Sequence, residues 1–104
     1  MNNKVQNHIM KHIDCVGNDP CFPGIYILTD TNGVPYIGSS RSIARRLVQH
    51  DKSMCNLTCN YKIKDAILNG ERFSYAILER LPYGCSDTLL RSRENIYISI
   101  CIIQ

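Results

Sequence analysis

The stretch GIYILTDTNGVPYIG, residues 24–38, predicts a β-hairpin and thereby decides the fold. Its two halves, GIYILT (24–29) and VPYIG (34–38), are rich in the β-branched and aromatic residues that favour strands. The residues between them, DTNG (30–33), contain the Asn-Gly pair that is typical of tight hairpin turns. Pro35 cannot donate a hydrogen bond to a neighbouring strand, so we expect the second strand to lie at a sheet edge or to begin there.

The remainder of the chain predicts helices on both sides of this hairpin and one further strand. Upstream, residues 3–16 carry apolar side chains at helical spacing, and the prolines and glycines of GNDPCFPG (17–24) end that amphipathic helix. Downstream, we expect a bend at GSS (38–40), and residues 39–42 lead into a helix that ends near Asp51. A second helix is predicted over residues 60–69, where Gly70 ends it. A buried strand over FSYAILERL (73–81) and a helix from Ser86 or Asp87 to the end of the chain complete the prediction.

These elements predict a small α/β domain of the α+β type. We expect a three-stranded, mainly antiparallel sheet flanked by helices. The predicted organisation is an N-terminal helix and connector over residues 1–23, followed by a single domain over residues 24–104. A chain of 104 residues is long enough for one hydrophobic core and leaves little room for a second.

Charge and hydropathy narrow the class of protein. Twelve Lys and Arg against nine Asp and Glu give a net charge of +3, which permits contact with phosphates without requiring it. No apolar run approaches the ~20 residues that span a bilayer, and the N-terminus lacks the apolar core of a secretory signal. We therefore expect a cytoplasmic protein with no membrane partner.

Six cysteines raise the question of disulfides or a metal site. An even number of cysteines in a short chain indicates a disulfide framework only in a secreted protein. Cys55 and Cys59 could share a metal, but a zinc site usually needs a second close pair, and Cys15 and Cys21 are too widely spaced. Structural thiols are therefore favoured, and a Cys-based metal or redox protein is the alternative.

Helical geometry separates the two adjacent arginines that follow the hairpin. Successive residues of a helix turn by about 100°. With Ile43 and Leu47 as core anchors, Arg46 and His50 border the buried face, whereas Arg45 faces water. Taken alone, Arg46 could also cover apolar surface with its stem, and His50 could be a histidine stabilised at a helix C-terminus.

A carboxylate falls inside the apolar stripe of the last helix. At helical spacing, Glu94 lies on the same face as Leu90 and Cys101. A carboxylate withdrawn from water needs either a basic partner or a metal cation. An ion pair with Arg46 or Arg93 and a metal-ligand role both satisfy this need.

Two phenols from the hairpin complete a candidate site. Tyr26 alternates with Ile25 and Ile27 along the first strand, and Tyr36 stands in the second strand. Together with one guanidinium, one imidazole and one carboxylate, these side chains are expected to converge on one surface.

In this order the residues resemble the GIY-YIG nucleases. GIY at 24–26 and YIG at 36–38 are followed by Arg46 and, much later, by Glu94, and the resemblance runs from Gly24 to about Ile98. Three segments are most similar to the catalytic domain of phage intron-homing endonucleases, namely YIGSS with RRLVQH, YAILERLPY (75–83) and SRENIYI (92–98).

The resemblance implies a metal-dependent DNA endonuclease that hydrolyses phosphodiester bonds, either of the homing type or as a small stand-alone nuclease. It implies Mg²⁺ or Mn²⁺ as cofactor and Glu94 as the metal ligand, and a hard cation suits a carboxylate with waters and phosphate oxygens. Tyr26 would act as general base or position the attacking water, and Arg46 would stabilise charge on the phosphoryl oxygens. His50 and Tyr36 would orient the water and the scissile phosphate.

Departures from the family pattern support an alternative. Family members commonly carry an asparagine some way beyond the glutamate, and this sequence stops at Gln104 before such a residue is expected. Some homing relatives also carry a histidine where Asn60 stands. Homing enzymes append DNA-binding modules, so targeting is expected to come from such a region or from a protein partner. The alternative is a catalytically weak or inactive module that binds nucleic acid or protein.

Overall fold

The computed structural model describes residues 21–103, with side chains through residue 101. Its elements are, in order, β1 (Gly24–Asp30), β2 (Pro35–Ser40), α1 (Ile43–Cys55), α2 (Tyr61–Leu68), β3 (Phe73–Arg80) and α3 (Asp87–Ile103). The predicted fold class is confirmed, since a three-stranded antiparallel sheet is flanked by three helices. The helix predicted over residues 3–16 lies outside the described residues. Within residues 21–103, no helix combines the length and apolar character needed to cross a membrane.

The central strand of the sheet is β1. The strand order is β2-β1-β3, and both pairings are antiparallel, with Tyr26 of β1 opposite Gly38 of β2. In the hairpin turn, the buried Asp30 carboxylate accepts hydrogen bonds from the backbone N–H groups of Asn32 at 2.9 Å and Val34 at 3.0 Å. This carboxylate therefore satisfies the turn backbone and stabilises the register of β1 against β2.

The bend predicted at GSS (38–40) is wrong. Ser39 and Ser40 continue β2, because they still pair with Ile25 and Gly24 of β1. The bend follows at Arg41. Since β2 is two residues longer than the YIG motif, the Ser39 side chain belongs to the sheet instead of to the approach to α1.

The prediction that β3 is a buried strand is also wrong. Among residues 21–103, β3 pairs with β1 on one side only and is an edge strand, because β1 occupies the centre of the sheet. Phe73 is its one buried residue. β2 forms the other edge and begins at Pro35, as predicted from the missing N–H group of proline.

Helix α1 continues beyond the predicted end at Asp51 and reaches Cys55. Met54 is fully buried and prolongs the apolar stripe that includes Leu47, so burial of its side chain favours the longer helix. His50 consequently lies more than one turn before the helix end. The interpretation of His50 as a histidine stabilised at a helix C-terminus is therefore wrong, since that effect is confined to the last turn.

The other two helices agree with their predicted ranges to within one residue at the start and two at the end of the described part. Asn60 caps α2, where its Oδ1 accepts a hydrogen bond of 3.0 Å from the backbone N–H of Ile63. Gly70 follows the end of α2 with a φ of 84°. At the start of α3, Ser86 Oγ accepts a hydrogen bond of 3.1 Å from the backbone N–H of Leu89.

The apolar core lies on both faces of β1. The face that carries Tyr26 and Leu28 packs against α1 and α2. The opposite face, which carries Ile25, packs against Leu90 of α3 and the segment around Leu81. Strand β1 therefore joins the two halves of the core, and it presents Tyr26 on the same side of the sheet as α1.

Gly24 stands where no larger residue fits. A Cβ at this position would clash with the backbone oxygen of Glu79 and would lie 3.1 Å from Cδ1 of Ile43. The Glu79 oxygen belongs to the backbone of β3 and cannot rotate away. We expect Gly24→Ala to lower the free energy of unfolding by about 3 kcal/mol, the upper part of the usual range for overpacking, as measured by urea denaturation.

Gly33→Asn is the matched control for this substitution. Gly33 has a φ of 84° and no atom within 4 Å of a Cβ added there. Asparagine tolerates this backbone region better than most residues, so we expect a loss of about 1 kcal/mol from the left-handed backbone alone, well below the loss from the clash at Gly24. Equal losses of stability in the two variants would contradict the clash with β3 as the cause.

Candidate active site

A cleft of about 600 Å³ runs along the outer edge of β2. Five consecutive residues of β2, 35–39, line it. Since successive side chains of a strand point to opposite faces, a cleft that contacts all five must follow the edge of the strand. The other lining residues are Tyr26 from β1, Arg46 and His50 from α1, Asn60 with Lys62 and Ile63 from the start of α2, and Glu94, Ile98 and Cys101 from α3. The cleft thus brings together the five predicted site residues, Tyr26, Tyr36, Arg46, His50 and Glu94.

Tyr26 and His50 are joined by a hydrogen bond in this cleft. Tyr26 Oη lies 2.7 Å from His50 Nε2, and the two rings meet edge to face with centroids 5.8 Å apart. Tyr26 is only 2% exposed. Gly38 makes room for the phenol, because a Cβ at Gly38 would lie 2.5 Å from Tyr26 Oη. The glycine of the YIG motif is therefore required by the tyrosine of the GIY motif.

Burial determines how this pair ionises. It lowers the pKa of His50 to about 4, with a further contribution from the positive charge of Arg46. It raises the pKa of Tyr26, although Arg46 acts in the opposite direction. Both groups are therefore neutral near pH 7. When Nδ1 carries the ring hydrogen, Nε2 of His50 accepts the hydrogen bond that the Tyr26 hydroxyl donates.

The lowered pKa of His50 predicts how stability depends on pH. The unfolded chain binds this proton near pH 6.5, whereas the folded protein binds it only near pH 4. The folded state is therefore expected to lose stability as the pH falls from about 6.5 towards 4. We expect an NMR titration to show a neutral His50 ring down to about pH 4, and His50→Gln to reduce the slope of stability against pH. A midpoint near 6.5 for His50 in the folded protein would contradict this prediction.

The adjacent arginines differ in position. Arg46 lines the cleft, where its charge acts on the pKa of Tyr26 and of His50. Arg45 is absent from the cleft lining. Both side chains are exposed, so Arg46 reaches the cleft from the surface and is more open to solvent than the helical stripe predicted. Its Nη1 lies 3.4 Å from Gln49 Oε1, a weak contact that leaves the guanidinium available to a phosphate.

Glu94 presents a half-buried carboxylate to the cleft. Its Oε1 accepts a hydrogen bond of 2.6 Å from Ser39 Oγ. The alternative of a Glu94–Arg93 ion pair is wrong, because Arg93 pairs with Glu79 at 2.8 Å. Among residues 21–101, Glu94 forms no ion pair with Arg46 either. The carboxylate is therefore held by a neutral hydroxyl, and no cationic side chain among residues 21–101 lies at ion-pair distance from it.

The donor set fits a magnesium-type ion with a single protein ligand. In the part of the chain that the structure describes, no three His, Cys, Asp or Glu side chains group together. Mg²⁺ is commonly bound by one or two carboxylates and completes its shell with waters and substrate phosphates. Glu94 offers such a carboxylate beside a cleft that is open to both.

The described cysteines do not form a competing site. Cys21, Cys55, Cys59, Cys85 and Cys101 form no disulfide with one another. No cluster of three metal-binding side chains includes any of them within the described residues. We therefore still interpret the cysteines as structural thiols, and a Cys-based metal site has no support among these residues.

Tyr36 adds the second phenol near the start of β2. Its ring packs edge to face on Phe73, with centroids 5.7 Å apart. Burial raises the pKa of Tyr36, and the negative charge of Asp30 raises it further. Tyr36 is therefore a neutral hydrogen-bonding group at the part of the cleft that lies towards the hairpin turn.

Sequence reasoning misses Ser39 as a site residue. If GSS formed a bend, Ser39 would lead into α1 and would not face α3. Its pairing with Ile25 extends β2 and brings the hydroxyl to Glu94. Ser39 could have been predicted from its small hydroxyl side chain directly after YIG, if β2 had been expected to continue beyond the motif.

Comparison with known proteins gives one family match. The family model described as the GIY-YIG catalytic domain matches residues 22–99, which contain all five predicted site residues. No curated protein and no solved structure gives a significant match to the chain.

Proposed function

Because the chain belongs to the GIY-YIG family, whose catalytic domain is a metal-dependent phosphodiesterase nuclease domain, we propose that it is a DNA endonuclease that uses Mg²⁺ or Mn²⁺. The observation that carries the proposal is the Tyr26–His50 hydrogen bond of 2.7 Å, in a cleft that also holds Arg46 and Glu94. These side chains supply a proton acceptor, a positive charge and a carboxylate, which are the groups that phosphodiester hydrolysis requires.

Tyr26 and His50 provide a path for the proton of the attacking water. As the water oxygen attacks phosphorus, Tyr26 Oη accepts the water proton and donates its own proton to His50 Nε2, 2.7 Å away. A new P–O bond forms, the P–O bond to the leaving oxygen breaks, and that oxygen takes a proton from solvent. The low pKa of His50 keeps the imidazole neutral beforehand, and the negative charge of the phosphate favours the imidazolium that forms.

Arg46 and Glu94 have electrostatic roles in the proposed reaction. The Arg46 guanidinium, which has five donors in a fixed plane, binds the non-bridging phosphate oxygens and stabilises the charge that builds there. Glu94 would hold the divalent ion, with Ser39 orienting its carboxylate through Oε1. When bound, such an ion supplies Lewis-acid stabilisation of the phosphoryl and leaving oxygens.

The proposal is tested with the two adjacent arginines. We expect Arg46→Ala to slow the nicking of supercoiled plasmid in Mg²⁺ about 10²-fold, because one transition-state contact is lost. Arg45→Ala removes the same charge from the same helix outside the cleft and is expected to cut at close to the wild-type rate. Time courses on plasmid and on branched DNA measure both rates.

Two outcomes would contradict the proposal. Equal slowing by both substitutions would indicate a general effect of charge on DNA binding, and no slowing would remove Arg46 from the mechanism. Binding of DNA without any nicking in Mg²⁺ or Mn²⁺ would favour the inactive binding module.

We also propose that the enzyme is of the homing type and acts in the cytoplasm. Support for the homing type comes from the segments YIGSS with RRLVQH, YAILERLPY (75–83) and SRENIYI (92–98). Sequencing the cut ends of plasmid DNA tests it. Cuts concentrated at few positions are expected, whereas evenly spread cuts would favour a stand-alone nuclease.

A further inference from the structure

We propose that the start of α2 forms a second phosphate subsite beside the reacting phosphate, with Lys62 as its cation and Tyr61 as a contact for the adjoining sugar or base. This inference rests on the proposed function, since it takes the substrate to be a DNA strand. It assigns roles to two residues that the mechanism above leaves unused.

The cleft is longer than one phosphate requires. It follows β2 from Ser39, which holds Glu94, to Pro35, a span of four residues or about 13 Å at about 3.3 Å per residue. Neighbouring phosphates of a duplex strand rise by about 3.4 Å along the helix axis, and because the strand winds around that axis they lie farther apart in space, at about twice the rise. The cleft therefore has room for the reacting phosphate together with a neighbour on the same strand.

Lys62 gives the cleft an excess of positive charge. It lines the cleft and is exposed, and it forms no ion pair within residues 21–101. Without Lys62, the positive charge of Arg46 and the negative charge of Glu94 would leave the cleft lining with no net formal charge. An ammonium group is a compact charge that binds phosphate without a fixed orientation, which suits a phosphate that must be held but not activated.

The position of Lys62 is fixed by its neighbours on α2. Asn60 caps the helix through a 3.0 Å hydrogen bond with the backbone N–H of Ile63, and Ile63 is 4% exposed within the core. The backbone of Lys62 lies between these two anchored residues, so only its side chain is free to move. Lys64, two residues later on the same helix, is exposed and absent from the cleft lining.

Tyr61 lies outside the cleft lining and adds an aromatic ring at the first residue of α2, one position before Lys62. Its side chain is 70% exposed and so contributes little to the core. Exposed aromatic side chains beside a cationic groove bind nucleic-acid strands by stacking on bases, whatever the base. The pair Tyr61–Lys62 therefore combines the two contacts that hold a strand independently of its sequence.

DNA binding tests the cation. The measurement is the fluorescence anisotropy of a short duplex with the full chain carrying Glu94→Gln, which is expected to prevent cutting, over a series of salt concentrations. We expect the addition of Lys62→Gln to weaken binding and to reduce the slope of log K against log salt by about 0.9, the loss of one phosphate contact. Adding Lys64→Gln instead is expected to leave the slope unchanged, and Lys62→Arg to retain it.

Three further measurements test these contacts. In a series of DNA duplexes, one phosphate near the cut is replaced at a time by a neutral methylphosphonate. At one position of this series, the affinity of Lys62→Gln should equal that of the protein with Lys62, because the phosphate that Lys62 contacts has lost its charge. Steady-state cleavage is measured with Lys62→Gln as the single substitution. This variant should raise KM about tenfold, because one charged hydrogen bond to the DNA is lost, and should change kcat little. Tyr61→Ala should weaken binding more than Tyr83→Ala, because both tyrosines lie outside the cleft lining and are 70% and 69% exposed, but only Tyr61 adjoins the lining residue Lys62.

The outcomes separate this inference from the proposed function. If the wild-type chain neither binds nor cuts DNA, the proposed function itself fails. If it cuts DNA while Lys62→Gln behaves like Lys64→Gln in slope and affinity, the subsite alone is overturned. The absence of any methylphosphonate position that abolishes the effect of Lys62→Gln would likewise overturn it.

Discussion

Glu94→Gln is expected to reduce Mg²⁺-dependent DNA cleavage by at least about 10³-fold, because a bound ion contributes several kcal/mol to stabilising the transition state. The amide has the size of the carboxylate, and its oxygen can still accept the hydrogen bond from Ser39 Oγ. What is lost is the negative charge that attracts a divalent ion. Raising the Mg²⁺ concentration is therefore not expected to restore the rate.

Glu71→Gln is the control for this prediction. Glu71 accepts a hydrogen bond of 3.1 Å from the backbone N–H of Asn32, outside the cleft, and glutamine can keep it. Thermal unfolding adds a readout besides cleavage, since an ion that binds the folded state raises Tm. Mg²⁺ should raise Tm for the wild type and for Glu71→Gln, but not for Glu94→Gln. Cleavage by Glu94→Gln within tenfold of the wild type would remove Glu94 from the metal site.

Tyr26→Phe is expected to slow cleavage about 10³-fold, which lies within the usual range for the loss of a general acid–base group. Phenylalanine fills the same space in the core beside Gly38, so the fold is expected to persist. The substitution removes only the oxygen that receives the water proton and that contacts His50 Nε2 at 2.7 Å. DNA binding should remain close to wild type, so the loss should appear in kcat rather than in KM.

Tyr97→Phe is the matched control for Tyr26→Phe. The Tyr97 hydroxyl donates a hydrogen bond of 3.1 Å to Glu79 Oε1 outside the cleft, so this variant also loses a hydrogen-bonded phenol oxygen. We expect it to lose about 1 kcal/mol of stability and to retain the wild-type cleavage rate. NMR of the His50 ring should change in Tyr26→Phe and not in Tyr97→Phe. A Tyr26→Phe enzyme that cuts at more than a tenth of the wild-type rate would contradict the proton path.

The order and type of the elements within residues 21–103 follow from local signals. The hairpin, the Asn60 cap and the Gly70 stop depend on residues only a few positions apart in the chain. The errors arise where tertiary contacts decide. Burial of Met54 lengthens α1, pairing with β1 extends β2 through Ser40, and the central place of β1 leaves β3 at an edge. The two strand contacts have no local signature in the sequence, whereas Met54 stands seven residues after Leu47 and continues the helical spacing of α1.

The same division holds in the site. By itself, the sequence determined which residues could take part, because the two tripeptides and the helical spacing of Arg46 and Glu94 are local patterns. Only the tertiary structure decided the partners. Tyr26 meets His50 across 24 positions of sequence, and Ser39 meets Glu94 across 55. Contacts at such separations depend on how whole elements pack, and no periodicity within one element encodes them.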